Sequence, residues 1–244
     1  MKVTLIASTV FHGCPSSVEG SPFHKYDFAN QFTDENGDFI ESSDSDRLAH
    51  FAGRSCYQAW DMPREETAND MGYLANIIKQ GHFSVLEHAS ATFYIEDVSR
   101  NLTHELIRHR HLSYSELSQR YVTMDESLIT VHPTIDSLEL FTGAGTLGRV
   151  HREALIAYTT LVNALEATGI KGKKAREAAR SVIPGGVETK IVVSGNHRAW
   201  RDMLQKRYSV HADAEIRELA TELLRQLRSI APATYQDFPD SPFS

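Results

Sequence analysis

The chain has 244 residues, enough for a substantial core, and at 41% hydrophobic and 23% charged its composition is that of an ordinary soluble globular protein. A net charge of −7 argues against a general nucleic-acid binder, which usually carries a basic surplus. No apolar run approaches the roughly 18 residues of a membrane span, and the two cysteines, Cys14 and Cys56, supply neither a metal pair nor a disulfide framework, so a reducing cytoplasm is the expected setting.

Residues 2–7 predict a buried first strand rather than a signal peptide, since no convincing cleavage site follows. Residues 15–45 are polar and rich in turn formers, and are expected to form a long mobile loop or insertion. Ser45 is placed to cap a helix over 46–59. "ETANDMGYLANIIKQG" predicts an amphipathic helix stopped by Gly81. The β-rich stretch 91–98 predicts a strand. "SRNLTHELIRHR" follows as a helix with Leu102, Leu106 and His109 on one stripe, ending around His109 to His111 and giving way to a loop that runs to Val122. Further helices are expected over 149–168, over the basic "KGKKAREAARSVIP" up to Pro184, at "HRAWRDMLQKRYS", and over the C-terminal "ADAEIRELATELLRQLRSIAP", with a strand at "ETKIVVSGN". The order lacks regular βαβ alternation. It predicts a single α+β domain over 1–244, with helices around a central antiparallel-rich sheet.

Some motifs are decoys. "GAGTLG" (143–148) matches a dinucleotide glycine pattern, but no clear strand precedes it, so a flexible loop is expected. In "HELIRH", His104 and His109 are five residues apart, about 140° around a helix, and cannot share a metal. His82 and His88 are no better as ligands, and no metal site is expected. Cys56 has no partnered base and is expected as a small buried apolar residue rather than a nucleophile.

The informative stretch is "RHRHLSYSELSQRYV", from Arg108 to Val122. An acidic protein here concentrates three arginines, two histidines and three serines. Arginine offers a planar fork of donors suited to phosphate, and serine hydroxyls and loop N–H groups add to it. Arg108 and Arg110, if helical, point to opposite sides, so one piece of chain can serve two ligands. A local Glu116–Arg120 pair on a solvated loop, or an RNA-binding patch, are the competing readings at this point.

This stretch resembles the pattern R-H-R-x-x-S-x-N-x-x-S-x-R of the flavin-dependent thymidylate synthases, in an actinobacterial version with Ser115 where the general pattern has Asn. "FAGRSCYQ", "GHFSVLEHAS", "AREAARSVIP", "ETKIVVSGNHRAWRDMLQKR" and "HADAEIRELA" resemble further blocks of that family in the right order, over most of 46–235. The resemblance implies FAD as cofactor, with NADPH and methylenetetrahydrofolate as co-substrates, and dUMP converted to dTMP by a homotetramer whose sites lie between subunits. It implies a flavin site at Arg108, His109, Arg110, Ser84, His82 and Glu116, and at Asn196, His197 and Arg198. Asp202 belongs to that site too, but stands where relatives carry Asn or His. It implies a dUMP site at Glu105, Arg108 and the loop Glu116, Leu117, Ser118, Gln119 and Arg120, with Arg180, Arg100 and Lys173. Arg207 matches the catalytic arginine at the uracil ring. No cysteine nucleophile is needed. On the same scaffold, an inactive flavin- or nucleotide-binding protein is the alternative.

Overall fold

A computed structural model describes residues 1–13, 32–33, 39–40, 43–60, 64–137 and 143–244. Most of the expected loop 15–45, with Cys14, lies outside the described residues. Within it the short strands β2 (Phe32–Thr33) and β3 (Phe39–Ile40) pair antiparallel.

The centre of the molecule is a four-stranded sheet of β1 (Lys2–Ser8), β4 (Ser90–Ser99), β6 (Glu188–Asn196) and β5 (Ser113–Glu116), in the order β1-β4-β6-β5, with every neighbouring pair antiparallel. Alternation sets its two faces. Ala91, Phe93 and Ile95 of β4 and Ile191 and Val193 of β6 are buried, whereas Thr92 and Ser194, joined by their hydroxyls at 2.9 Å, lie on the other face. The buried face is covered by α3 (Arg100–Leu106), α7 (His197–Arg207) and α8 (Ala214–Ile230). Helix α8 buries Ile216, Leu219, Ala220, Leu223, Leu224 and Leu227 along one stripe. Trp200 of α7 meets Phe93 edge-on, with centroids 5.2 Å apart, and donates its indole N–H to the Ala91 carbonyl. Burying each large apolar side chain contributes about 1.5–3 kcal/mol. This seam is the main adhesive of the fold, and an α+β architecture results.

Two smaller clusters flank it. Helices α1 (Asp44–Tyr57) and α2 (Asp70–Lys79) pack through Ala49, Tyr73, Leu74 and Ile77. Helix α5 (Gly143–Ala167) meets α6 (Lys173–Ala179) around Tyr158 and Ala179. A short helix α4 (Pro133–Asp136) precedes α5. Buried polar groups fix the joints. Ser99 caps α3, and Glu215 of α8, only 4% exposed, accepts from both the Ser99 N–H (2.8 Å) and its hydroxyl (2.5 Å). Asp46 of α1 accepts from the Ala233 and Thr234 N–H groups and the Thr234 hydroxyl, tying the N-terminal helices to the C-terminal segment.

Several expectations are corrected. The first helix is capped by Ser43, not Ser45, because Ser43 Oγ takes the Asp46 N–H. The second begins at Asp70, with Asn69 as cap, later than its pattern implied. Helix α3 stops at Leu106, and the segment expected as loop to Val122 contains the edge strand β5. Residues 143–148 are helical, not a loop. Gly143 lies so close to Ile135 that an added Cβ would stand 2.6 Å from its Cγ2, and this docking against α4 offsets the poor helix propensity of glycine at the start of α5. Cys56 is exposed, not buried. No helix among the described residues is long and apolar enough to cross a membrane.

Candidate active site

The site begins where β4 runs into α3 and where β6 runs into α7. Both junctions carry a cap at the strand's last residue. Ser99 takes the Leu102 N–H, and Asn196 takes the Ala199 N–H at 2.9 Å. Because the strands are antiparallel, the two helices start at opposite ends of the sheet, and their last turns meet where Arg207 reaches Glu105. The segment Ile107–Leu112 crosses between them. It is pinned by Tyr114, whose hydroxyl reaches the carbonyls of Leu106 (2.7 Å) and His109 (2.8 Å), and by Leu112, which is buried against Gly195. The result is an alternation: Arg108 and Arg110 are exposed and His109 between them is buried. Both arginines are free of hydrogen-bond partners among the described residues and open to an anionic ligand.

Arg207, in the last turn of α7, is the best-fixed cation here. Its Nε donates to His109 Nε2 at 3.0 Å, its Nη1 to Glu105 Oε2 at 2.7 Å, and its Nη2 to the Glu105 carbonyl at 3.3 Å. Guanidinium stays charged, so His109 Nε2 must present a lone pair and the ring must be neutral with its proton on Nδ1. Burial, with the Arg207 charge beside it, holds the His109 pKa below its usual value. Nδ1 faces Asp202 at 3.7 Å, beyond hydrogen-bond distance. Burial by itself would raise the Asp202 carboxyl; two contacts from Lys206, at 2.6 and 2.8 Å, together with His109, draw it below its ordinary value.

Alongside lies a second group. Glu116 accepts from Thr103 Oγ1 (2.9 Å) and Arg100 Nη2 (3.3 Å), while Arg100 Nη1 reaches the Leu117 carbonyl. Gln119 is buried and Ser118 is half-buried. Arg120 does not pair with Glu116, the helical i to i+4 partner the sequence offered. It pairs with Glu177 of α6, while Arg176 holds the Arg120 carbonyl and Lys173 holds the Tyr121 hydroxyl. Arg180, at the end of α6, is half-buried.

A third group surrounds the start of α7. A cleft of about 460 Å³ is lined by Glu87, His111, Asn196, Arg198, Ala199 and Asp202, and Arg198 pairs with Glu87. This volume falls in the usual range of small-molecule sites, about 300–1,000 Å³. The N–H groups of a helix N-terminus and the free forks of Arg108 and Arg110 are suitable donors for a diphosphate.

Not every expected residue joins these groups. Ser84 is exposed on the 3-10 turn after α2, and His82 lines a separate cleft of about 520 Å³ between α1 and α2. His197 is 1% exposed and turned inward onto the Tyr235 hydroxyl at 2.9 Å, so it presents no face to a ligand in the single chain. Conversely, Glu87, His111, Thr103, Arg176 and Glu177 stand at the site without having been singled out. For Glu177 a signal existed: Lys173, Arg176, Glu177 and Arg180 share one helical stripe.

The family described as thymidylate synthase complementing protein matches residues 38–233. The chain belongs to that family. A relative from Mycolicibacterium vanbaalenii is 51% identical over 211 residues, covering 81% of this chain and 82% of its own. One from Mycolicibacterium gilvum is 46% identical over 249 residues, covering 98% and 90%. One from Mycobacterium tuberculosis is 51% identical over 196 residues, covering 78% of each chain. All three are named flavin-dependent thymidylate synthases. Membership extends over all three residue groups just described.

Proposed function

We propose that the protein is a flavin-dependent thymidylate synthase, which converts dUMP to dTMP with FAD as cofactor and with methylenetetrahydrofolate and NADPH as co-substrates. The observation that carries this reading is the Arg207–Glu105–His109 cluster beside the Glu116–Arg120 loop, which Arg100 and Arg176 hold in place, in a chain of this family. FAD, when bound, supplies the hydride chemistry; binding and orientation are the protein's part.

In this reading Arg120, Ser118, Lys173 and Arg180 receive the phosphate of dUMP, with Arg100 fixing Glu116 and Leu117 behind them and Gln119 buried in the same loop. Glu105 and Arg108 approach the nucleoside. Arg207 faces the uracil ring, where a fixed cation in a half-buried site stabilises negative charge developing at N3 and O4. Its three contacts hold it in place before charge develops, which avoids reorganisation during the reaction. Arg108, Arg110, Asn196, Arg198 and Asp202 line the flavin side, with Ser84, His82 and Glu116 completing it. The separation of His82 and Ser84 from the 460 Å³ cleft supports sites assembled between subunits, and in this reading the assembly is a cytoplasmic homotetramer.

The test is the visible spectrum of the purified protein, taken after addition of FAD and desalting and again during titration with dUMP. Flavin bands that survive desalting and shift with dUMP are expected, followed by dTMP formation when both co-substrates are added. A colourless protein that ignores FAD would overturn the reading.

A further inference from the structure

Arg120 is one of the cations that receive the nucleotide phosphate in the reading above, and it is not idle. Its Nε and Nη2 both converge on a single oxygen, Oε2 of Glu177, at 2.8 Å each. A guanidinium has two edges that can each bind an anion with paired N–H groups. Glu177 occupies the Nε/Nη2 edge, and the Nη1/Nη2 edge has no partner among the described residues. The backbone is held in the same way. Arg176 Nε donates to the Arg120 carbonyl at 3.1 Å, and the Lys173 ammonium donates to the Tyr121 hydroxyl at 2.9 Å while lying 4.7 Å from the ring centroid. Positions 173, 176 and 177 lie on one face of α6, so that face acts as a rigid bracket for the 118–122 turn.

The Arg120 and Glu177 side chains are 40% and 46% exposed. An ion pair so open to water adds little to folding. A flexible arginine, however, loses rotamer freedom when it binds an anion, and one already fixed has less to lose. We propose that Glu177 is a positioning residue for the nucleotide phosphate: it grips one edge of Arg120 and presents the other. This rests on the dUMP reading above. Being itself negative, Glu177 also repels a phosphate dianion, so its useful contribution is as an acceptor rather than as a charge. A neutral amide in its place retains the acceptor.

The experiment compares dUMP and deoxyuridine binding to the FAD-loaded protein, by calorimetry, for wild type, Glu177→Ala and Glu177→Gln. Glu177→Ala is expected to weaken dUMP by about three- to tenfold, the cost of fixing one free side chain. Glu177→Gln is expected to stay within about twofold of wild type. Deoxyuridine, which lacks the phosphate, is expected to bind all three proteins alike. Unchanged or tighter dUMP binding in Glu177→Ala overturns the proposal alone, because the carboxylate then only competes with phosphate. Equal weakening of deoxyuridine also overturns it, since the effect would then be loosening of α6. A Gln variant as weak as the Ala variant removes the acceptor role. Wild-type protein that binds FAD but ignores dUMP overturns both this proposal and the reading beneath it.

Discussion

Arg207 uses all three of its nitrogens on α3 and the loop after it. The same chemistry recurs among the described residues, where Arg54 Nε donates to His50 Nε2 at 3.1 Å and His50 Nδ1 meets Asp70 at 2.7 Å. That chain is closed and buried, and joins α1 to α2. The one at the site is open, because Asp202 stands 3.7 Å from His109 and is held by Lys206 instead. The neutral His109 therefore serves as an acceptor that fixes Arg207 without competing for its charge. Lysine cannot reproduce this, since its point-like ammonium does not span Glu105 and His109 together. Arg207→Ala and Arg207→Lys are both expected to lower the rate of dTMP formation by about 10²–10³, the usual loss on removing a preorganised charge-stabilising donor, while bound flavin is retained. Single-turnover assays at saturating dUMP check this. Wild-type rates in the lysine variant would mean that charge alone suffices and the three-point grip does not matter.

At the scale of elements, the placement of the arginine-rich segment depends on Gly195 of β6. A Cβ there would stand 2.2 Å from Leu112 Cδ2. Leu112 is what anchors the Ile107–Leu112 crossing to the core, next to Trp200. Gly195→Ala is expected to destabilise the fold by about 1–3 kcal/mol through overpacking, read as a lowered thermal midpoint. Leu112→Ala in the same chain should recover part of that loss, because the two changes share one space. Simple additivity would show that the crossing is anchored elsewhere. This contact also explains what the sequence hid. Strands β4 and β6 and helices α7 and α8 were legible because their apolar residues repeat at the period of the element. Strand β5 was not: "SYSE" carries no β-branched residue and pairs with β6 alone. The start of α5 was hidden by three glycines of poor helix propensity, of which Gly143 docks on Ile135. At the site, the arginines were legible as a type. Their partners were not, since Arg120–Glu177 and Arg207–His109 join residues 57 and 98 positions apart, which only the fold brings together.

Across the whole molecule, the C-terminal segment is clamped by two titrating groups that respond to pH in opposite senses. His197, buried against Tyr235 with no partner at Nε2 among the described residues, has its pKa lowered by burial to about 4. An unfolded histidine takes up its proton near 6.5, so this term favours folding in full above that pH and is lost as pH falls toward 4. At about 1.4 kcal/mol per pH unit it amounts to about 3 kcal/mol. Asp46, which accepts from Ala233 and Thr234, has its carboxyl raised from 3.8 to about 6, chiefly by burial and against the pull of those hydrogen bonds. The folded state therefore holds that proton where the unfolded state releases it. This term favours folding below 3.8 and is lost as pH rises through 6, also by about 3 kcal/mol. Between pH 4 and 6 the two nearly cancel, and the stability of the wild-type chain should be close to flat there, tipped toward acid lability by His50, whose pKa burial also lowers. Asp46→Asn removes one side of the balance. It should be less stable overall, because an amide N–H₂ then faces the Ala233 N–H. Its urea midpoint should nevertheless climb steeply from pH 4 to 6.5, exposing the histidine term. His197→Gln should slope the other way, losing stability as pH rises. If the wild type climbed as steeply as Asp46→Asn, Asp46 would be ionised throughout, and its hydrogen bonds to the 233–234 turn would outweigh the cost of burying the charge.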